Sequence, residues 1–278
     1  MKKKKLYVEK VLDYGTTIDR TWLTTWGTIF FSFVVLDFLF QSLYKGQNIF
    51  WDFNFLGLDA HLRVVSNGTF IGVTILKYLG IILTFLYARK KFPRDHVLQI
   101  ALGFTLLADT LLMLDNVSPL GVFAFCLAQY FHLARFAKIK PTYFIAWSAF
   151  LFLLLVLGSL AHLEKMYVLA TIYLFSLSLN VVLTYRWWKR VTKNPEKHND
   201  RELVASTCAF FGFFLFACCD FNVALSYLSV TGSLPLELAR FVNFFAWFFY
   251  YPSQVLISNS SVIIGKNLKN SEKIEKTS

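Results

Sequence analysis

The chain has 278 residues, of which 56% are hydrophobic and 16% charged, and 31 of them are phenylalanine. This excess of apolar residues excludes an ordinary soluble domain and indicates a membrane protein. The formal net charge of +11 is scattered over the segments between apolar runs rather than gathered on one face, which argues against a nucleic-acid-binding protein.

Apolar runs of about 20 residues are long enough to span a bilayer as helices. We predict eight such helices in chain order: Leu23–Tyr44, Thr69–Ala88, Val97–Leu114, Leu120–Ala137, Tyr143–Leu163, Tyr167–Trp187, Leu203–Ser229 and Leu236–Ser258. The predicted fold class is therefore an all-α integral membrane bundle. It forms one domain over residues 23–260, between a basic segment (1–22) and a charged tail (261–278) that we expect to be disordered.

Most lysines and arginines fall at one end of the predicted helices. The positive-inside rule places that end, and with it both termini, in the cytoplasm. The first apolar run is too long and begins too late for a cleaved signal peptide. We therefore expect a multi-pass protein of the cell membrane, and the composition fits a bacterial plasma membrane.

Two connecting segments are longer than the others. The outer one, Lys45–Gly68, carries Trp51, Phe53 and Phe55 in alternation rather than at helical spacing, which predicts a segment at the membrane interface. The inner one, Lys189–Arg201, is polar and contains proline, which predicts a mobile loop.

Two aspartates, Asp109 and Asp220, lie inside apolar runs. An ionised carboxylate at membrane depth is costly, so such residues usually face a polar interior and serve a function. Two of them on separate helices suggest a shared site. At about 1.5 Å rise per residue, Lys77 falls at a similar height. The functional hypothesis is a polar cavity, and the alternative for Lys77 is a structural ion pair with one aspartate.

Other polar residues predicted in the outer half carry weaker signals. Glu237 and Arg240 are three apart and favour a local helical pair. Asp37 is interpreted as a residue at a helix end, and Asn243 falls at the same level.

The cysteines and histidines indicate no disulfide, metal or cofactor. All four cysteines fall within predicted helices, and buried cysteine usually behaves as a small hydrophobic residue. They are Cys126, Cys208, Cys218 and Cys219. His132 and His162 have no partner at the spacing of metal ligands.

Five segments together resemble the lysoplasmalogenase, or YhhN-like, family of eight-helix membrane proteins. They are LKYLGIIL, ALGFTLLADTLLML, GVFAFCLAQYFHLARF, GFFLFACCDFNVAL and YYPSQVLISNS, in that order, within Thr69 to Ser258. The residues that match the family pattern are Lys77, Asp109, Asp220, Tyr250, Tyr251, Gln254 and Ser258. Ala108, Cys219, Tyr78, Gln129 and His132 depart from it: the family tends to have Gly, Ser, Pro, His and Tyr there.

The resemblance implies hydrolysis of the vinyl ether of lysoplasmalogens to a fatty aldehyde and a glycerophospho-alcohol. Protonation of the β-carbon of a vinyl ether gives an oxocarbenium ion, to which water adds. Paired carboxyl groups in different environments can serve as acid and base, as they do for the oxocarbenium ions of glycosidases. Asp109 and Asp220 are the predicted catalytic pair, and the sequence does not decide which is the acid.

The implied partners are a lysophospholipid substrate and membrane lipid. Lys77 and Arg240 are candidate ligands of the substrate phosphate, and Gln129 is a further candidate for substrate binding. Tyr250, Tyr251 and Gln254 either hydrogen-bond the aspartates or tie helices together, and packing is the favoured interpretation. The oligomeric state is left open.

Other classes of function remain alternatives. A proton-coupled transporter also carries acids and a lysine inside its bundle, but paired halves with broken helices are not evident. The Tyr-Asp and Gly-Leu-Gly-Asp motifs of presenilin-like proteases are absent from the sequence. A lipid-binding protein without catalytic activity is the remaining alternative.

Overall fold

A computed structural model of the protein describes residues 20–43, 51–55, 58–62, 68–114, 118–136, 141–160, 165–230 and 236–261. This part of the chain contains eight long helices. They are α1 (Arg20–Leu43), α2 (Gly68–Lys91), α3 (His96–Leu114), α4 (Pro119–Phe136), α5 (Pro141–Leu160), α6 (Lys165–Lys193), α7 (Asp200–Val230) and α8 (Leu236–Ser258). The prediction of an all-helical bundle is confirmed, and α8 has the predicted bounds.

The outer connecting segment forms an antiparallel hairpin of β1 (Trp51–Phe55) and β2 (Leu58–Leu62), in which Trp51 pairs with Leu62. Alternating aromatic and polar residues have the period of a strand, which explains why this segment does not continue the helical pattern. The prediction of a membrane-interface location stays a prediction.

Six of the helices contact one another in a closed cycle. In order around this cycle, α2 packs on α3, α3 on α4, α4 on α6, α6 on α7, α7 on α8 and α8 on α2. Helix α1 packs outside the cycle against α2 and α8, and α5 packs outside it against α6. Side chains on the inner faces of the six helices therefore meet in a common interior.

Small residues allow close helix contacts at two places. A Cβ atom at Gly80 of α2 would collide with the ring of Tyr251 of α8, and one at Gly212 of α7 would lie 2.8 Å from a side-chain carbon of Ile257. Small residues are common where membrane helices approach closely. Glycine at these two positions sets how closely α8 approaches its neighbours.

The outward faces of the helices are apolar. Phe31, Phe152 and Phe221 each expose about two thirds of their surface (69%, 68% and 65%). Large exposed apolar surfaces mark contact with lipid or protein. Within the described residues, three stretches are long and apolar enough to cross a membrane: His96–Met113, Met166–Lys193 and Asp200–Ser226.

The prediction of a mobile inner loop over Lys189–Arg201 is wrong for most of that segment. Helix α6 continues to Lys193, a 3-10 turn covers Pro195–Lys197, and α7 begins at Asp200. Asn199 caps α7, because its Oδ1 accepts a 2.7 Å hydrogen bond from the backbone N–H of Glu202. The aromatic rings of Trp188 and Phe210 stack 5.0 Å apart and hold the end of α6 against α7.

The four cysteines are free thiols, and three of them are buried. The burial of Cys126, Cys208 and Cys219 agrees with the prediction that they pack as small apolar residues, whereas Cys218 is partly exposed. Cys126 also donates a weak hydrogen bond from its Sγ to the backbone oxygen of Leu169, at 3.5 Å, which joins α4 to α6.

Candidate active site

Asp109 of α3 is held by a tyrosine from across the bundle. It is buried, with 8% of its surface exposed, and its Oδ2 accepts a 2.6 Å hydrogen bond from the hydroxyl group of Tyr250 on α8. Because α3 and α8 are not neighbours in the helix cycle, this bond crosses the common interior. The interpretation of Tyr250 as only a packing residue is therefore wrong, since its hydroxyl group positions a carboxyl group.

Asp220 of α7 has an equivalent partner. Its Oδ2 accepts a 2.5 Å hydrogen bond from the hydroxyl group of Tyr173 on the neighbouring helix α6. Within the described residues, no hydrogen bond reaches Oδ1 of either aspartate. Each carboxyl group thus has one oxygen held by a phenol, and the other oxygen is available to a bound molecule.

The two aspartate–tyrosine pairs belong to one site. The carboxyl groups of Asp109 and Asp220 are near enough to interact electrostatically, and the thiol of Cys219 interacts with both. Their tyrosine partners, Tyr250 and Tyr173, lie in the same region of the interior. That Asp109 and Asp220 act together in one polar site stays a prediction.

Aromatic rings surround the two pairs. Phe216 lies between them, with its ring centroid 5.4 Å from that of Tyr250 and 6.0 Å from that of Phe125. The ring of Phe125 in turn lies 5.8 Å from that of Tyr173. These rings form apolar sides around the site, and an apolar surrounding strengthens electrostatic interactions.

Lys77 of α2 reaches the same region through aromatic contacts. Its ammonium group lies 5.0 Å from the ring centroid of Trp247 and 5.9 Å from that of Phe33. The ring of Trp247 is 5.4 Å from that of Tyr250, the partner of Asp109. Cation–π contacts of this kind hold a buried ammonium in place. The adjacent Tyr78 hydrogen-bonds Thr110 at 2.5 Å, next to Asp109 in sequence.

Tyr251 and Gln254 do not contact the aspartates in the described structure. The ring of Tyr251 packs on Phe30 and Phe33 of α1, at 5.9 and 5.5 Å, and its buried hydroxyl group has no hydrogen-bond partner among the described residues. Gln254 is buried and donates a 3.4 Å hydrogen bond from Nε2 to Ser253. Tyr251 therefore packs α8 against α1.

Gln129 of α4 is fully buried and bonds α6. Its Oε1 and its backbone oxygen both accept hydrogen bonds from Nδ2 of Asn180, at 2.9 and 3.0 Å. One turn further along α4, Nδ1 of His132 lies 3.1 Å from Nη1 of Arg135. The departures from the family pattern at 129 and 132 thus face the interior of the bundle.

A second polar cluster closes the basic end of the interior. Nη2 of Arg135 donates to the backbone oxygen of Ser260 at 2.9 Å and lies 3.9 Å from Oδ2 of Asp95. Ser261 donates to the same Oδ2 at 2.7 Å, and Oδ1 of Asp95 caps α3 through the backbone N–H of Leu98. This cluster ties the start of α3, the end of α4 and the residues after α8 together.

Several predicted residues lie outside the described part of the structure. Arg240, Glu237 and Asn243 are on α8 and Asp37 is on α1, but their side chains are not described; nor is His162. Among the described residues, no group of three or more His, Cys, Asp or Glu side chains is arranged to hold a metal ion.

Sequence reasoning missed Tyr173, Asn180 and the cluster around Arg135. A signal for the first two existed: Tyr173, Ser176, Asn180 and Thr184 recur at intervals of three and four on an apolar helix, which places them on one face. Asp95 and Arg135 flank the apolar runs, where charged residues usually face water, so no pattern distinguished them.

The apolar outer faces, the long apolar helices and the buried carboxyl groups define an integral membrane protein of the helical class. The family model of the YhhN family matches residues 71–261. The chain therefore belongs to the YhhN family, which is the lysoplasmalogenase family that the motifs resemble. Comparison with curated proteins and with solved structures gave no match.

Proposed function

We propose that this protein is a membrane hydrolase that cleaves the vinyl ether bond of lysoplasmalogens. The observation that carries the proposal is the pair of interior carboxyl groups, Asp109 and Asp220, each held by a tyrosine hydroxyl group. Membership of the YhhN family supports the same type of reaction. No cofactor is needed for it.

The reaction uses two carboxyl groups and one water molecule. The acid of the pair transfers a proton to the β-carbon of the vinyl ether, which gives an oxocarbenium ion. The other carboxylate stabilises this cation and takes a proton from the attacking water. The resulting hemiacetal breaks its bond to the glycerol oxygen, which leaves with a proton as the glycerophospho-alcohol. The other product is the fatty aldehyde.

The tyrosines are assigned a positioning role. A proton donor or acceptor has to lie within hydrogen-bond reach of the reacting atom, and a carboxyl group free to rotate would spend little time there. Tyr250 and Tyr173 fix Oδ2 of Asp109 and Asp220 and leave Oδ1 for the substrate. The pairs come from four different helices, so the geometry depends on the assembled bundle.

The substrate phosphate is assigned to the Lys77 side of the site. Lys77 is buried beside Trp247. An anionic head group at this place would stabilise the charge of its ammonium group by ionic pairing. Arg240, on the same helix as Trp247 and about two turns nearer its start, is proposed as a second ligand. Tyr251, whose ring packs on Phe33 beside Lys77, is proposed to shape this pocket. Gln254 and Gln129 are assigned no part in the chemistry.

We also propose that all eight helices cross the plasma membrane, with both termini in the cytoplasm. The apolar outer faces and the distribution of basic residues support this orientation. Cysteines introduced into the segment 45–68 should react with an impermeant reagent added outside intact cells. Protection of that segment, with labelling only after lysis, would contradict the orientation.

The activity is tested with purified protein in detergent. With 1-alkenyl lysophospholipid as the substrate, we expect fatty aldehyde and glycerophospho-alcohol in equal amounts. The matched control is the 1-alkyl analogue, which lacks the double bond and cannot be protonated to an oxocarbenium ion, so it should not be cleaved. Uptake of intact lysolipid into sealed vesicles without any covalent change would favour a transporter instead.

A further inference from the structure

Helix α6 carries a row of buried polar side chains below the aspartates. Ser176 and Asn180 follow Tyr173 at intervals of three and four residues, so all three lie on one face of the helix. Both are buried, with exposures of 1% and 0%. This face packs against α4, where Gln129 and His132 are equally buried.

Each of these four side chains has a polar atom that no described residue satisfies. The atoms are Oγ of Ser176, Oδ1 of Asn180, Nε2 of Gln129 and Nε2 of His132. A buried polar atom left without a partner costs about 1–3 kcal/mol, and native proteins contain only a few of them. Four such atoms on two helices that pack together therefore indicate a ligand that supplies both donors and acceptors.

Exchanging the oxygen and nitrogen positions in the side-chain amides of Gln129 and Asn180 does not remove the need for a further hydrogen-bond partner. Rotating Gln129 alone would place its NH2 group against the NH2 group of Asn180, where it now presents an oxygen. Rotating both amides would satisfy one bond and leave an oxygen of Gln129 and the NH2 group of Asn180 unpaired. In each arrangement one donor and one acceptor remain, which is the pattern that a water molecule satisfies.

The spacing of these groups also suits water. At a rise of about 1.5 Å per residue, successive levels of the row on α6 are roughly 4.5–6 Å apart. A water molecule that hydrogen-bonds two groups joins atoms about 5.5 Å apart. At the far end, Nδ1 of His132 lies 3.1 Å from Arg135, which bonds Ser260 in the cluster that closes the basic end.

We propose that a file of internal water molecules lies between α4 and α6. We define this water file by Ser176, Asn180, Gln129 and His132. It runs from the Tyr173–Asp220 pair to the Arg135 cluster and supplies the water that the reaction consumes. The role in water supply rests on the proposed function. A lysolipid held by Lys77 and Arg240 would occupy the opposite end of the site, so water has to arrive from the side of the water file.

The first test measures hydration without using activity. In radiolytic hydroxyl-radical footprinting of the full-length protein in detergent, radicals form from bound water and oxidise adjacent side chains. His132 and Ile257 are 1% and 0% exposed, but Ile257 packs against Gly212 in an apolar contact between α7 and α8. After correction for intrinsic reactivity, we expect His132 to be oxidised at least about tenfold faster, because water hydrogen-bonded to it is ordered there. Equal protection of the two residues would overturn the water file.

The second test separates hydration from packing. Asn180→Leu keeps the branched shape and the number of side-chain heavy atoms and removes the polar atoms, whereas Asn180→Ser leaves a cavity that water can fill. If the reaction needs water at this position, Asn180→Leu should lower kcat about tenfold, equivalent to about 1.4 kcal/mol, and leave KM unchanged. Asn180→Ser should then keep most of the activity. If Asn180 serves packing alone, Asn180→Ser should be the slower variant, and that order would overturn the supply role.

Thr184→Val is the matched control. Thr184 lies one turn beyond Asn180 on the same face and is fully buried, but its hydroxyl group donates to the backbone oxygen of Asn180 at 2.7 Å. Its removal should therefore leave kcat and the oxidation of His132 unchanged. If the wild-type protein hydrolyses no vinyl ether, the proposed function fails, and footprinting still decides whether the water file exists.

Discussion

The hydroxyl group of Tyr250 donates a 2.6 Å hydrogen bond to Oδ2 of Asp109 across the interior of the helix bundle. The two residues lie on α8 and α3, which are not neighbours in the cycle of helices, so the bond exists only when the bundle is closed. Tyr173 holds Asp220 in the same way. The proposed chemistry therefore depends on two phenols as well as on two carboxyl groups.

Replacing either tyrosine with phenylalanine should slow the reaction without unfolding the protein. A hydrogen bond to a charged group contributes about 1.5–3 kcal/mol, so Tyr250→Phe and Tyr173→Phe should each lower kcat by roughly 10- to 100-fold, with little change in KM. Tyr130→Phe is the control, because it removes a similar 2.7 Å bond to Ser148 between α4 and α5. An equal loss of activity in the control would argue for a general packing effect and against a role of the two phenols in the site.

Lys77 should determine recognition of the phosphate. We expect Lys77→Met to raise KM for the lysophospholipid by about 5- to 30-fold, since an ionic contact worth about 1–2 kcal/mol is lost. The same variant should cleave a 1-alkenyl glycerol, which has no phosphate, as well as the wild type does. Equal loss of activity on both substrates would place Lys77 in the chemistry rather than in head-group binding.

Gly80 should be required for the contact between α2 and α8. The Cβ atom of Gly80→Ala would meet the ring of Tyr251, and overpacking of this kind costs about 1–3 kcal/mol. We expect a lower melting temperature in detergent. Gly27→Ala is the control, because nothing lies within 4 Å of a Cβ atom there. A normal melting temperature for Gly80→Ala would show that Tyr251 moves aside easily.

The buried cluster at the basic end should contribute to stability. Arg135→Met leaves the buried carboxylate of Asp95 without its cation, and removal of one partner of a buried ion pair costs about 3–5 kcal/mol. Adding Asp95→Asn should recover part of that loss, because the uncompensated charge is then removed. Arg94→Met, at an exposed position, should leave the melting temperature unchanged. The absence of any recovery in the double variant would contradict the ion-pair account.

The sequence predicts the helices and the aspartates because both carry strong physical signals. Runs of about 20 apolar residues have few alternatives to a helix, and a carboxyl group inside such a run stands out. Tyr173 gives no comparable signal, because a tyrosine in an apolar helix also fits the membrane interface. Its hydrogen bond to Asp220 depends on which face of α6 turns inward, which helix packing decides.

The segment 189–201 is a case in which the sequence pattern predicts too little helix. Polar composition and a proline predict a loop over 189–201, but Trp188 stacks on Phe210 and Asn199 caps α7. The packing of Trp188 thus supports the extension of α6 beyond the apolar run, and the cap sets the start of α7. Gln129 was assigned to substrate binding from its place in the motif, whereas in the structure it bonds Asn180.

The most direct measurement is the rate of aldehyde release by Asp109→Asn and Asp220→Asn on 1-alkenyl lysophospholipid. Asparagine keeps the shape of the side chain and cannot exchange a proton, so each variant should lose at least about 100-fold in kcat. Asp200→Asn, at the exposed start of α7, should release aldehyde at the wild-type rate. Undiminished release by both Asp109→Asn and Asp220→Asn would contradict the assignment of these two carboxyl groups to the reaction.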